Sequence, residues 1–401
     1  MLALEGVLLL DFGQYLAGPF GPMVIGDMGA DVIKVEPVAG DGMRMANGPF
    51  FGCQRGKRDI ALDLKSERGH EIAMKLIERA DIVHHNMTAG VAKRLGIAYD
   101  ECKAVNPDVV YCNTWAYGLE GPLARFGGLD PLYQAVAGLE YESGPVRLGN
   151  KPMYYRFGMT DTANAMLSVV GCLAALYHQR RTGEGQELWT SLLDGGAMFA
   201  SDATLVHGEP VPRPELDKDQ TGLDACYRLY ETNDGWIQIA AIKLEHWTGL
   251  CNALDVPELA DDARFATPGA RAEHRQQLES LFAPRFATRT AVQWSRLLDD
   301  NGVPNEVAID TKAGELVMFD GDNERLDLVV EYEHALLGRM RQFGNLVDFS
   351  ETPGRIGGPP PIVGQNTREI LAWLGYSDDD MSALKEQRAV YWPDDDYSWS
   401  I

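Results

Sequence analysis

Apolar residues fall along this chain in short, nearly continuous runs separated by amphipathic stretches. GVLLLDF (Gly6 to Phe12) is compact and apolar, as a strand covered on both faces must be. A helix punctuated by Gly and Pro, GPFGPMVIGDMG, follows. ADVIKVE, rich in β-branched residues, makes a second strand ending at Glu36. Ser66 is placed to cap a helix running to about Arg79. DIVHHN is the next strand, and DVVYCNTW another after two short helical segments. This alternation predicts an α/β fold, a parallel Rossmann-like sheet with helices on both faces. His84 and His85 sit side by side at a strand end, so one is expected packed and the other solvated, without metal.

Thr160 or Asp161 begins a strong helix whose middle, Ala163 to Tyr177, is apolar nearly all round, the pattern of a core helix. That run of about 15 residues is too short to cross a bilayer. Arg180, Arg181 and then Gly183 mark its end. QELWTSLLDGGAMFAS restarts a strand and a helix. A Pro-rich polar stretch at 208–222 reads as a linker. YRLYETNDGWIQIAA reads as a hairpin turning at Asn233-Asp234-Gly235. A smaller α+β domain is therefore expected over 223–344, and a large domain over 1–207 and 345–401. TPGRIGGPPPIVGQ leads into a last helix, NTREILAWLG, and the acidic tail WPDDDYSWSI is expected to be loose.

Composition narrows the function. The 401 residues carry a formal charge of −23, which disfavours nucleic acid and anionic membranes as partners. The N-terminal apolar run is bracketed by Glu5 and Asp11 and lacks a basic start, so it is not expected to act as a signal peptide. The six cysteines form no CxxC pair and read as buried thiols of a cytoplasmic protein. No metal-binding pattern is present, and no metal is expected. An anionic ligand needs basic side chains locally, and Arg44, Arg55, Lys57, Arg58 and Lys65 form the densest basic stretch. GxGxxG is missing after the first strand, which argues against a dinucleotide-dependent dehydrogenase.

Several strings carry a family resemblance. They are DFGQYLAGPFGPMVIGDMGADVIKVEPVAGDGMR, RGKRDIALDLKSERG, NMTAGVAKRLGIAYDECKAVNPDVVYC, GLDPLYQAVAG, GMTDTANA, RRTGEGQ, ETNDGW, DDARFATPGAR and PPPIVGQNTREILAWLG. In this order, over nearly the whole chain, they resemble the class III CoA-transferases. That family includes the formyl-CoA:oxalate and L-carnitine types and is related to the α-methylacyl-CoA racemases. The resemblance implies coenzyme A as co-substrate, an acyl-CoA and a carboxylic acid as reactants, and an interlocked homodimer. It also implies that Leu62, Leu64, Lys65 and Asn86 line the nucleotide groove, that Arg94 contacts a phosphate, and that Arg44 belongs to the CoA site. Gln14, Tyr15 and Leu16 stand where relatives hold the acyl end, with Tyr133 a further candidate. Two departures stand out: Asn86-Met87-Thr88-Ala89-Gly90 lacks the Arg and Pro of many relatives, and no glycine-rich loop precedes the hairpin.

Asp161, taken by itself, is a helix cap. Helix-start amides would keep its carboxylate ionised. The resemblance makes it the catalytic nucleophile of a covalent mechanism through an aspartyl anhydride and an aspartyl-CoA thioester. Racemases of this kind pair the aspartate with a histidine in Gly-His-Asp, and here the string is Gly128-Leu129-Asp130. Leucine carries no proton, which favours transfer over racemisation. The remaining alternatives are a 2-methylacyl-CoA racemase and a CoA-binding protein without catalysis.

Overall fold

The computed structural model describes residues 1–394 other than 313 and 320; residues 395–401, most of the acidic tail, lie outside the described residues. Contacts divide the chain into two compact units. One comprises Met1–Ala137, Tyr155–Ser201 and Leu316–Ile401, the other Gly138–Tyr154 and Asp202–Glu315. The expected boundaries put 138–154 in the large domain and 316–344 in the small one, and both segments fall the other way. A buried arginine accounts for the second difference: Arg55 ion-pairs with Asp27 at 2.7 Å and donates to the carbonyls of Phe343 and, at 2.8 Å, Gly344.

The first unit is built on a seven-stranded sheet. Its strands are β1 (Leu8–Asp11), β2 (Asp31–Glu36), β3 (Arg58–Leu62), β4 (Ile82–His85), β5 (Val110–Trp115) and β6 (Glu187–Ser191). These six pair in parallel in the order 3-2-1-4-5-6. A short strand from the far end of the chain, Val390–Tyr391, adds antiparallel to β3. β3 itself was hidden from the hydrophobic pattern, because RDIAL opens on two charged residues.

Alternation along β1 feeds two cores. Leu10, Ile33, Ile60 and Val83 pack on one face with Ile72, Leu76 and Ile370. Leu9, Val32, Ile82 and Val110 pack on the other with Ile25, Val169 and Cys172. Each buried Leu or Ile of this kind is worth about 1.5–3 kcal/mol. Ser66 caps the helix Glu67–Ile77, accepting from the amide of Gly69 at 3.0 Å. His84 and His85 are both buried, because β4 is a central strand with helices on either side, and neither is solvated as expected. Burial lowers their pKa values to about 4 and about 3, so both are neutral. They bond to the hydroxyls of Ser168 and Tyr111.

The core helix is longer than its apolar run. It spans Met159–Thr182, 24 residues, and half of its most apolar window is buried within the fold. It lies against β5, β6 and the helix Phe20–Asp27. It is not covered all round: Val170 and Tyr177 are each 65% exposed.

The second unit holds a four-stranded antiparallel sheet of Gly222–Asp224, Tyr227–Glu231, Trp236–Ala240 and Asn305–Ala308. The expected hairpin is present, with Glu231 opposite Trp236 and Thr232 N–H donating to Gly235. Trp247, Phe265, Phe282 and Phe286 fill its core. A small exposed ladder pairs Leu205–Val206, just before the stretch read as a linker, with Glu209–Pro210 inside it.

Candidate active site

The parallel strands all end at one edge, and the residues just beyond those ends enclose a cavity of about 660 Å³. Phe12 follows β1, Glu36 closes β2, Leu62 closes β3, Asn86 follows β4, Trp115 closes β5 and Leu192 follows β6; all six line it. In a doubly wound sheet the ligand crevice opens at this edge, where the strand order reverses, here between β1 and β4.

Of the residues singled out from the sequence, Gln14, Tyr15, Leu62, Leu64, Lys65, Asn86 and Asp161 line this cavity. Arg94 is exposed at the end of the short helix Val91–Arg94, between the lining residues Val91 and Leu95. Leu16 does not line the cavity; its Cδ2 lies 2.8 Å from where a side chain on Gly158 would begin. Tyr133 is fully buried behind Gly128, its ring 4.7 Å from that of Tyr117, and is a packing residue rather than a cavity wall.

The basic stretch has a different job from the one expected. Arg44 is held by Glu36 through Nε at 3.0 Å and Nη2 at 2.5 Å, lies 3.6 Å from Asp59, and donates to the Pro361 carbonyl. It does not line the cavity. Lys57 is buried on Asp11 at 2.7 Å, and Arg58 bridges Asp31 and Glu369. A charge inside a fold must be paired, so Arg44 and Lys57 balance the buried carboxylates of Glu36 and Asp11, while Arg58 makes its two ion pairs at the surface. Lys65 is the member of the stretch that reaches the cavity.

The loop after β1 is tightly determined. Asp11 accepts from the Gly13 amide at 2.8 Å, and Lys34 donates to the Gly13 carbonyl at 2.9 Å. Asn86 grips the backbone of Gln14 twice, accepting from its amide at 2.8 Å and donating to its carbonyl at 2.7 Å. Tyr15 then adopts φ 62°, the left-handed region that a bulky side chain rarely enters. Asn86 therefore shapes the wall as well as lining it.

Asp161 is the third residue of its helix, not the cap. The cap position is Gly158, which has no side chain to serve the first amides. Asp130 serves them instead: its Oδ1 accepts from Thr160 N at 2.8 Å, Thr160 Oγ1 at 2.6 Å and Asp161 N at 3.1 Å. Gln134 donates to its other oxygen. The Asp161 carboxyl is consequently not held ionised by helix-start amides. Burial, and then the Asp130 charge, push its pKa up to about 7. Leu129 and Leu132 line the cavity with it. Asp130 was visible in the sequence only as a turn or cap residue before Pro131; that it serves the amide of Thr160, thirty residues later at the start of another helix, is a tertiary fact.

Fold and crevice together place the chain in the class of doubly wound α/β proteins whose ligand lies across the strand ends. The profile of CoA-transferase family III matches over residues 4–367, and the chain belongs to that family. It is 31% identical over 386 residues to the succinyl-CoA:glutarate CoA-transferase of Mus musculus, covering 92% of this chain and 86% of that protein. It is 29% identical over 410 residues to the succinyl-CoA–D-citramalate CoA-transferase of Chloroflexus aurantiacus, covering 96% and 98%. The crystal structure of Rv3272 from Mycobacterium tuberculosis is similar at TM-score 0.79 and 26% identity, over 92% of this chain and 99% of that one. A CAIB/BAIF family protein from Brucella suis gives 0.78 and 27%, over 93% and 99%. The enzyme is thus a class III CoA-transferase, with CoA thioesters as co-substrates. Among the described residues no cluster of His, Cys, Asp and Glu could hold a metal ion.

Proposed function

We propose that the enzyme exchanges CoA between an acyl-CoA and a carboxylate through covalent intermediates on Asp161. The observation that carries this reading is the Asp161 carboxyl on the cavity wall, with no hydrogen-bond donor among the described residues and a pKa near neutrality. A nucleophilic carboxylate needs to be ionised, reachable and not already satisfied. Asp161 attacks the donor thioester carbonyl, the C–S bond breaks, and CoA leaves as thiolate with a mixed anhydride remaining. The thiolate attacks the aspartyl carbonyl, expelling the donor acid as carboxylate and leaving an aspartyl-CoA thioester. The acceptor carboxylate attacks that thioester, releasing the thiolate and forming a second anhydride. Attack of the thiolate on the acceptor acyl carbon makes the new acyl-CoA and frees Asp161. No ATP is consumed, because a thioester and a carboxylate are exchanged for the same pair.

In this reading the nucleotide end of CoA lies by Leu62, Leu64, Lys65 and Asn86, with Arg94 at the rim, and the acyl end by Gln14, Tyr15 and Leu129. The relatives named for succinyl-CoA suggest a short dicarboxyl donor as the first to try. Racemisation is disfavoured because Leu129, beside Asp161, cannot return a proton to Cα. The active form is a homodimer with interlocked subunits, a reading supported by the apolar exposure of Val170 and Tyr177. Six free buried cysteines suit a reducing, cytoplasmic setting.

The test is chemical trapping. Incubation with a turned-over acyl-CoA and hydroxylamine should convert Asp161 to its hydroxamate, read by peptide mass spectrometry. Asp161→Asn should lose exchange by at least about 10³-fold. Full exchange by that variant, or modification elsewhere, overturns the proposal.

A further inference from the structure

We propose that Asp130 is a positioning residue that sets the reactivity of Asp161: it takes the helix-start donors, leaving the neighbouring carboxylate without hydrogen bonds at the cavity wall, and it holds its own negative charge beside that carboxylate. This rests on the covalent reading of Asp161. The geometry is unusual for a helix start. Amides of the second and third helical residues normally turn to a capping side chain one residue before the helix. Here the cap is Gly158, and the amides of Thr160 and Asp161 turn to Asp130, which belongs to another helix, Asp130–Val136. Asp130 is itself fixed: it is 7% exposed, the Thr160 hydroxyl donates to it at 2.6 Å, and Gln134 donates to its second oxygen while also bonding the Phe157 carbonyl at 2.8 Å.

Two consequences follow for Asp161. A carboxylate that accepts several N–H bonds has its charge dispersed and is a weak base; one denied them keeps it. A second carboxylate one hydrogen bond away along the backbone also disfavours its ionisation, which strengthens it as a base and nucleophile once ionised. Asp130 and Tyr133, on one helix, interact electrostatically with Asp161; Tyr15, on the loop after β1, lines the same cavity, and Asp194 stands at the start of the adjoining helix Leu192–Phe199. The Asp194 carboxylate is bonded by Ser191 Oγ at 2.7 Å. Asp130 is the charged group that acts on Asp161, in the same direction as burial.

Asp130→Asn is the discriminating variant. Its remaining oxygen still accepts from the Thr160 and Asp161 amides; where its new amide meets Gln134, the Gln134 side chain must turn over so that Oε1, buried without a partner among the described residues, accepts from it, and the bond to the Phe157 carbonyl is given up. The capping bonds are kept while the charge is removed, and thermal melting checks the fold. The wild-type kcat/KM should fall in acid with a limb near pH 7, from the pKa of about 7 at Asp161. In Asp130→Asn the limb should move to lower pH by about one unit, and the high-pH plateau should fall by about tenfold. A limb that stays in place overturns the proposal, whatever the melting temperature does, and leaves Asp130 a structural cap. Exchange persisting in Asp161→Asn instead overturns the covalent reading, so the two failures are distinguishable.

Discussion

At the residue scale, the carboxyl of Asp161 is held in a costly place. Its pKa rises from 3.8 to about 7 on folding. Between those values the native state binds more protons than the unfolded one, so the stability contributed by the neutral acid is full below pH 3.8 and lost as pH rises through 7. The loss is no more than about 4 kcal/mol at one pKa unit per 1.36 kcal/mol, and less because the carboxyl faces an open cavity. Asp161→Asn, neutral throughout, is therefore expected to be the more stable protein at pH 8 and no more stable than wild type at pH 4. Urea denaturation at the two pH values measures this; equal stabilities at pH 8 would show that the site carries no such strain. Legibility at this scale was uneven. Asp161, Gln14, Tyr15, Lys65 and Asn86 could be picked from strings, and they meet at one cavity. Arg44 could not be judged, because nothing in GDGMR tells that Glu36, on the preceding strand, already claims its guanidinium.

At the element scale, the loop joining β1 to its helix is the part of the site with least freedom. A Cβ on Gly13 would stand 2.7 Å from the Gly18 carbonyl carbon and from Asp11 Oδ1; one on Gly18 would stand 2.7 Å from the Asn86 side chain. The first obstacle is backbone and cannot swing aside. Gly13→Ala is expected to destabilise by about 1–3 kcal/mol and to raise KM for acyl-CoA by disturbing the wall at Gln14 and Tyr15. Chemical denaturation and steady-state kinetics on the same sample test it; an unchanged midpoint with unchanged KM would refute the close-approach argument. The strands β1, β2, β4 and β5, which the hydrophobic pattern predicted, share one property, a run apolar enough to be buried on both faces. β3 escaped because its first residues are charged, and it is a strand because β2 supplies its ladder and Ile60 reaches the core.

At the scale of the whole molecule, the charge is −23, most of the buried cations turn out to neutralise the protein's own carboxylates, and Lys65 is the basic residue left lining the cavity. Val170 and Tyr177 leave apolar side chains exposed on the long helix of the first unit. The proposed interlocking of two subunits predicts a distinctive behaviour: two differently tagged populations, each dimeric by light scattering, should not exchange subunits on mixing under native conditions and should exchange after joint unfolding and refolding. Rapid native exchange would exclude interlocking, and a monomeric mass would exclude the dimer.

What the sequence by itself determined was the alternation of buried strands and amphipathic helices, the antiparallel hairpin of the second unit and the family to which the chain belongs, because these rest on periodicity and on ordered local strings. What only the tertiary structure decided was which charges face one another. The strand order brings Glu36 to Arg44 and Asp11 to Lys57, and the packing of two helices brings Asp130 to the amides beside Asp161. Electrostatic partners are chosen by distance in space, and distance along the chain carries almost no trace of it. For that reason the nucleophile candidate was legible as a residue, while its acidity, its missing hydrogen bonds and the residue that caps its helix were not.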